Sequence, residues 1–282
     1  DPFGAGGVAA LETGNDSADA VTINRNYYQF PVGDDFTATV GAKVRQDDML
    51  AVWPSAYPSD SVLDVLTYAG ANDAYNLAIG SGAGLTYQKD NFSGSFSIVS
   101  EEASNANSET GGVWTEGGSD VVTTQVAYAG EGWSLAAVYT SDDGGIKDSA
   151  DASNDRYTAW GFSGVYEIDN DSQFIPSSIS AGYGTKSPDK SDDASNIEDV
   201  STWSVGLLWS DAFTDGNTLG FAYGTAESHR DDSGYDDPMA YEIFYSMAVS
   251  DNITVTPAIF SIDQDGSNDA IQGALVKTTF SF

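Results

Sequence analysis

Lys43, Arg45, Lys186, Glu242 and Lys277 all fall on the small, hydroxyl-bearing side of alternating segments. Charged groups spaced out among Gly, Ser and Thr do not form a reaction centre. Their chemistry is that of an aqueous wall, where they attract, repel and briefly hold ions. Gly80, Gly82 and Gly84 share one face of a further segment, where another piece of backbone must come close. Reactive groups are scarce. The chain has no cysteine, which removes disulfides, thiolate metal sites and cysteine nucleophiles. Its single histidine, His229, stands beside Arg230 in an acidic stretch, so neither a triad nor a multi-histidine metal site can be built on it. The expectation is a chain without catalysis, metal or cofactor. The doublets Asp142-Asp143, Asp192-Asp193, Asp231-Asp232 and Asp236-Asp237 carry oxygens that suit Ca²⁺, but none has calcium-loop spacing, and solvated charge is the simpler reading.

Composition narrows the class. At 282 residues the chain is long enough for one large barrel or two ordinary domains. It contains no apolar run near the ~20 residues that a membrane helix needs. No basic, apolar leader opens it, so any signal peptide is expected to be already removed or to lie outside these residues. Ten Lys+Arg against 43 Asp+Glu give −33, which excludes nucleic acid as a general partner and argues against anionic headgroups. Acidity with few aromatics would mean disorder, but aromatics make up 12% here, so a folded chain is expected.

The charged face sits on strands. The closing stretch 270–282 places Phe282, Phe280, Thr278, Val276 and Ala274 on one side, with Ser281, Thr279, Lys277 and Gly273 on the other, and Leu275 breaks the polar side. This is period two running to a terminal aromatic. Residues 20–30 and 36–45 read as a first pair of strands around the turn 31–35; Phe36, Ala38, Val40, Ala42 and Val44 oppose Thr37, Thr39, Gly41, Lys43 and Arg45. Further strands are expected over 75–88, 92–100, 120–129, 133–141, 157–167, 178–186, 201–210, 219–225, 239–249 and 253–261. The long connection 46–73 includes the octet 61–68, which could form a short helix capped by Ser59 or Ser61.

Connections alternate between short turns and long loops rich in Asp, Ser, Asn and Gly. Charge stays off the apolar faces, whose ends are marked by aromatics, as in the row Trp203, Val205, Leu207 and Trp209. Short turns at one end, long acidic external loops at the other, and aromatic girdles describe an all-β transmembrane antiparallel barrel. A soluble sandwich alternates too, but it does not sort its loops by length. Residues 1–282 are read as one such barrel. About thirteen strands are countable, and the first and last run the same way, so one more is needed for antiparallel closure. Residues 7–12 could supply it, or strands could precede Asp1; 14–16 strands are expected. Residues 46–73 are expected to fold into the lumen, where the glycine face leaves room.

The turn Tyr28-Gln29-Phe30-Pro31-Val32-Gly33, the stretch 80–87, and the endings 249–258 and 273–282 resemble the cyanobacterial outer-membrane porins of the iron-uptake group, relatives of the carbohydrate-selective porins. The resemblance implies a 16-stranded barrel in the outer membrane, often a homotrimer, surrounded by lipid and passing inorganic ions, iron among them, and small solutes by passive diffusion. It also implies an S-layer-homology domain and coiled coil gripping the cell wall. These residues show neither, and the family's first two or three strands are expected to be missing from them, as in a processed or partial chain. A barrel whose main role is to tether the outer membrane to the wall is the alternative. Two selectivity readings stay open: acidic loops as a cation-concentrating vestibule, or the inward Lys and Arg as an anion-tolerant constriction.

Overall fold

The computed structural model describes residues 22–115, 117–143, 156–170, 172–188, 199–226, 238–263 and 270–281. Thirteen strands follow one another: β1 (Asn26–Val32), β2 (Phe36–Arg45), β3 (Ile79–Lys89), β4 (Phe92–Ser100), β5 (Asp120–Gly130), β6 (Trp133–Asp142), β7 (Tyr157–Glu167), β8 (Ser178–Pro188), β9 (Val200–Ser210), β10 (Thr218–Thr225), β11 (Met239–Ser250), β12 (Ile253–Ile262) and β13 (Ile271–Phe280). They form one sheet in chain order, each strand antiparallel to its sequence neighbours. Such a meander is what period-two segments joined by tight turns produce. The outer strands β1 and β13 run parallel to each other, so antiparallel closure requires an odd number of strands between them. The candidate strand 7–12 and the terminal Phe282 lie outside the described residues.

β1 begins at Asn26 and continues through Pro31, later than the pattern of 20–30 suggests. Proline donates no ladder bond, and Pro31 stands next to last in the strand, beside the turn. The octet 61–68 holds a single 3₁₀ turn, Asp64–Leu66, without a side-chain cap, in place of the expected helix. β2 departs most from simple alternation. Its pairing with β3 slips between Gly41 and Val44, a bulge that reverses the faces beyond it. Val44 therefore turns inward and is fully buried against Met49, Ala78, Val99 and Val121.

The two faces differ in kind. Outward positions carry exposed Val40, Phe96, Leu135, Phe162, Ile259 and Val276. Trp203, the head of its row, is 38% exposed. So extensive a band of bare hydrocarbon exceeds the few hundred Å² that a soluble monomer tolerates and is matched by lipid. Inward positions carry buried Ser95, Ser97, Thr123, Gln125, Ser180 and Thr202. What buries them is the connection between β2 and β3, residues 46–78, which enters the concave side.

That single segment also shows how strongly the sheet curls. Gln29 Nε2 of β1 donates to the Asp48 carbonyl, and Lys277 of β13 reaches Asp60. Twelve residues span at most about 43 Å when extended. Thirteen strands laid flat would set β1 and β13 about 58 Å apart. The reach of the two side chains narrows that gap, but residues 51–60 bend and turn repeatedly instead of running extended, so the contacts close on a sheet curled around the segment.

The segment is fixed by apolar packing as well as by hydrogen bonds. Tyr57, Val62, Leu63 and Leu66 pack with Phe244, Phe260 and Ile262 of the far wall, and Ile271 and Leu275 close the cluster. Replacing fully buried Leu63 by Ala is expected to cost about 2–5 kcal/mol, the usual cost of such a truncation. Urea unfolding of the lipid-reconstituted chain, followed by tryptophan fluorescence, measures this; a loss under about 0.5 kcal/mol, typical of a surface site, would mean the segment is not packed there.

Candidate pore constriction

Residues 46–78 carry no ladder of their own, so their peptide groups need other partners. Side chains of the inner wall supply them. Gln46 Nε2 donates to the Ala74 carbonyl at 2.9 Å and to Thr123 Oγ1 of β5 at 2.6 Å, which ties both ends of the segment to one spot. Gln125 holds Val52 on both sides: its Oε1 accepts from the Val52 amide at 3.1 Å, and its Nε2 donates to the Val52 carbonyl at 3.0 Å. Here the carboxamide acts as a strand partner would. Further along, the Ala56 amide donates to Ser180 Oγ of β8 at 2.9 Å. On the return path Thr202 Oγ1 of β9 donates to the Gly70 carbonyl at 2.7 Å, and Thr140 Oγ1 of β6 donates to that of Ala74 at 2.7 Å. The segment thus runs out along the wall to β13 and back.

Close approach needs small inward residues. A Cβ on Gly206 would stand 2.9 Å from the Tyr57 ring, and one on Gly161 would stand 2.5 Å from Ala71 Cβ. Gly84 takes the same part near the start, where a Cβ would meet Met49 Sδ at 2.7 Å. Gly82 faces Val44 Cγ1 and the Ile98 carbonyl, and Gly80 lies against the Ser100 carbonyl. Of the three, Gly84 is the one that touches the inner segment.

The charged set divides. Lys43 does not join the inner face: the bulge gives Val44 that place, and Lys43 is exposed with Nζ donating to the Ile23 carbonyl at 2.9 Å. Arg45, at the strand end, pairs with Asp47, Nε to Oδ1 at 2.6 Å. Lys186 faces inward, with Nζ 3.1 Å from Asp73 Oδ1 and 4.3 Å from the centre of the Tyr157 ring. Glu242 is completely buried and accepts from Tyr57 Oη and from the Leu63 amide, each at 2.6 Å. Lys277 donates to the carbonyls of Asp60 and Ser61 and to the Asp60 carboxylate. Glu242 and Lys277 therefore flank the tip of the segment, while Arg45 and Lys186 lie elsewhere along it. No single ring gathers all five.

Their acidic partners, Asp47, Asp60 and Asp73, were not singled out by sequence pattern, nor were Asp48, Gln46 and Gln125. Asp48 accepts from Arg25 Nε at 2.7 Å and from the Arg45 amide at 2.8 Å. Acids in an irregular stretch have no periodicity to betray which way they face. Leu275, the apolar break in a polar face, was the visible clue: it packs where the segment rests. Asp142 and Asp143 are engaged by protein groups, Asn76 Nδ2 and the Asp120 amide respectively. The other doublets and His229 lie outside the described residues.

Beneath the tip, a cavity of about 230 Å³ opens on the inner wall, lined among others by Asp60, Phe244, Ser246, Thr256, Lys277 and Thr279. Thr256 and Ser246 bond to each other at 3.2 Å. The arrangement is a hydroxyl-rich surface bordered by one ion pair. It is suited to holding water and small ions and has no group placed to attack a bond.

Two solved structures share this architecture. The high-pH structure of OprB from Pseudomonas putida matches with a TM-score of 0.59 at 13% identity, over 90% of this chain and 71% of that one. The anion-selective porin from Comamonas acidovorans matches with a TM-score of 0.61 at 9% identity, over 94% and 76%. The chain folds as a porin barrel. No protein-family model matches it, and no curated protein does. At these identities the likeness extends to the fold, and the pairs above are properties of this chain.

Burial first, and the Glu242 carboxylate second, hold the Tyr57 phenol well above its ordinary range; burial does the same to Tyr75. A phenol whose folded pKa is raised contributes stability in full below its unfolded value near pH 10, and loses it as pH climbs toward the folded value. Stability is thus expected to fall above about pH 10, and Tyr57→Phe to fall less steeply than the wild type. Urea midpoints at pH 8 and pH 11 measure the difference, and equal losses would contradict it.

Proposed function

We propose that the chain is an outer-membrane porin, a single barrel over residues 1–282 that lets inorganic ions and small hydrophilic solutes diffuse passively through a water-filled lumen. The observation that carries this reading is the combination of an apolar outer face with a hydroxyl-lined inner face across which residues 46–78 are strapped. A wall of that polarity is stable only with lipid outside and water or protein within. A segment strapped inside narrows the lumen without a gap in the wall.

Iron among the inorganic ions and assembly as a homotrimer belong to the same proposal. They follow from the likeness of residues 249–258 and 273–282 to the iron-uptake porins. On selectivity, the inner bases favour the cation reading. Lys186 and Lys277 on the inner wall, and Arg45 at the end of its strand, are each matched by a carboxylate of the inner segment, so they do not make a basic ring, while the chain as a whole carries −33.

Purified chain added to a planar lipid bilayer in 1 M KCl, a salt strong enough to collapse surface fields, is expected to give discrete, ohmic conductance steps. A folded, heat-modifiable chain that inserts but gives no steps would contradict the proposal.

A further inference from the structure

Among the described residues four ion pairs join the inner segment to the wall and its neighbourhood: Arg25–Asp48, Arg45–Asp47, Lys186–Asp73 and Lys277–Asp60. Three of them are partly shielded from water. The carboxylate side chains of Asp48, Asp47 and Asp73 are 17%, 15% and 21% exposed, whereas that of Asp60 is 71% exposed. The Lys277–Asp60 pair is also the longest of the four, at 3.4 Å. Its two members are not equivalent. An ammonium has three donors, and Lys277 directs Nζ at the Asp60 carbonyl, the Ser61 carbonyl and the Asp60 carboxylate. The lysine, 17% exposed, is turned into the protein, and the aspartate is turned to the water.

Asp60 borders the cavity of about 230 Å³ described above, whose wall offers the hydroxyls of Ser246, Thr254, Thr256 and Thr279. Hydroxyl oxygens can replace part of a cation's water shell, and one open carboxylate supplies the charge. A divalent cation would ask for several carboxylates. An anion would meet Asp60 with the ammonium already occupied.

We propose that the Asp60–Lys277 pair sets the charge preference of the channel, with small monovalent cations favoured at the Asp60 side. This rests on the porin reading above. Asp60 is the selecting group, and Lys277 is a positioning residue that holds the segment tip while hiding its own charge.

The test is the reversal potential across a planar bilayer under a KCl gradient, measured for the wild type, Asp60→Asn and Lys277→Gln, with heat-modifiable migration confirming each barrel. The wild type is expected to prefer K⁺. Asp60→Asn should lower the K⁺:Cl⁻ permeability ratio by at least about fivefold, the weight of one charge acting on the cation alone over about 4 Å of water. Lys277→Gln should raise it. Conducting channels whose ratio is the same in the wild type and Asp60→Asn, or a wild type that prefers Cl⁻, would overturn the assignment and leave the porin reading standing. A wild type that inserts without conducting would overturn the porin reading and the assignment with it.

Discussion

A stretch of backbone outside any ladder must still pair its peptide groups once water is gone. Residues 46–78 meet that demand on side chains that belong to strands far apart in the sequence. Gln125 holds both polar groups of Val52, Ser180 takes the Ala56 amide, Glu242 takes the Leu63 amide, and Thr202 meets the Gly70 carbonyl. Each bond contributes only about 0.5–1.5 kcal/mol net, more for the charged acceptor, but leaving any of these groups unpaired would cost more than that. The segment therefore has few alternatives to the path it follows.

That requirement shapes the wall behind it. Where the segment passes, inward positions shrink to glycine, as at Gly84, Gly161 and Gly206, or take on short hydroxyls. Where the tip comes to rest, the inner face becomes apolar at Phe244, Phe260 and Leu275. Charge follows the same logic. Bases on the wall are answered by acids on the segment, which avoids burying a lone charge and leaves the lumen without a basic ring. Glu242 is a different solution: a buried carboxylate satisfied by a phenol and an amide.

The strands were legible because each outward face must be apolar and each inward face small or polar. β2, β4 and β7 begin and end where that alternation does, and most other strands lie within a residue or two of the pattern. The inward course of the segment was legible from Gly80, Gly82 and Gly84, although Gly84 alone is in contact with it. The bulge between Gly41 and Val44 was not, since Ala42-Lys43-Val44 reads as unbroken alternation until the partner strand is known. Asp60 and Asp73 escaped notice for a related reason. Their partners lie more than a hundred residues away on β13 and β8, and nothing local records such a pairing.

Residues 46–78 lie against the inner wall. The chain has no native cysteine, which makes a direct test simple. Ala56 and Ser180 are in contact through a 2.9 Å hydrogen bond, whereas Ala181, the next residue on β8, points outward and is exposed. Oxidising the double variant Ala56→Cys/Ser180→Cys in lipid vesicles is predicted to give a rapid intramolecular crosslink, and Ala56→Cys/Ala181→Cys is predicted to give none. A crosslink in the second pair, or in neither, would contradict the account.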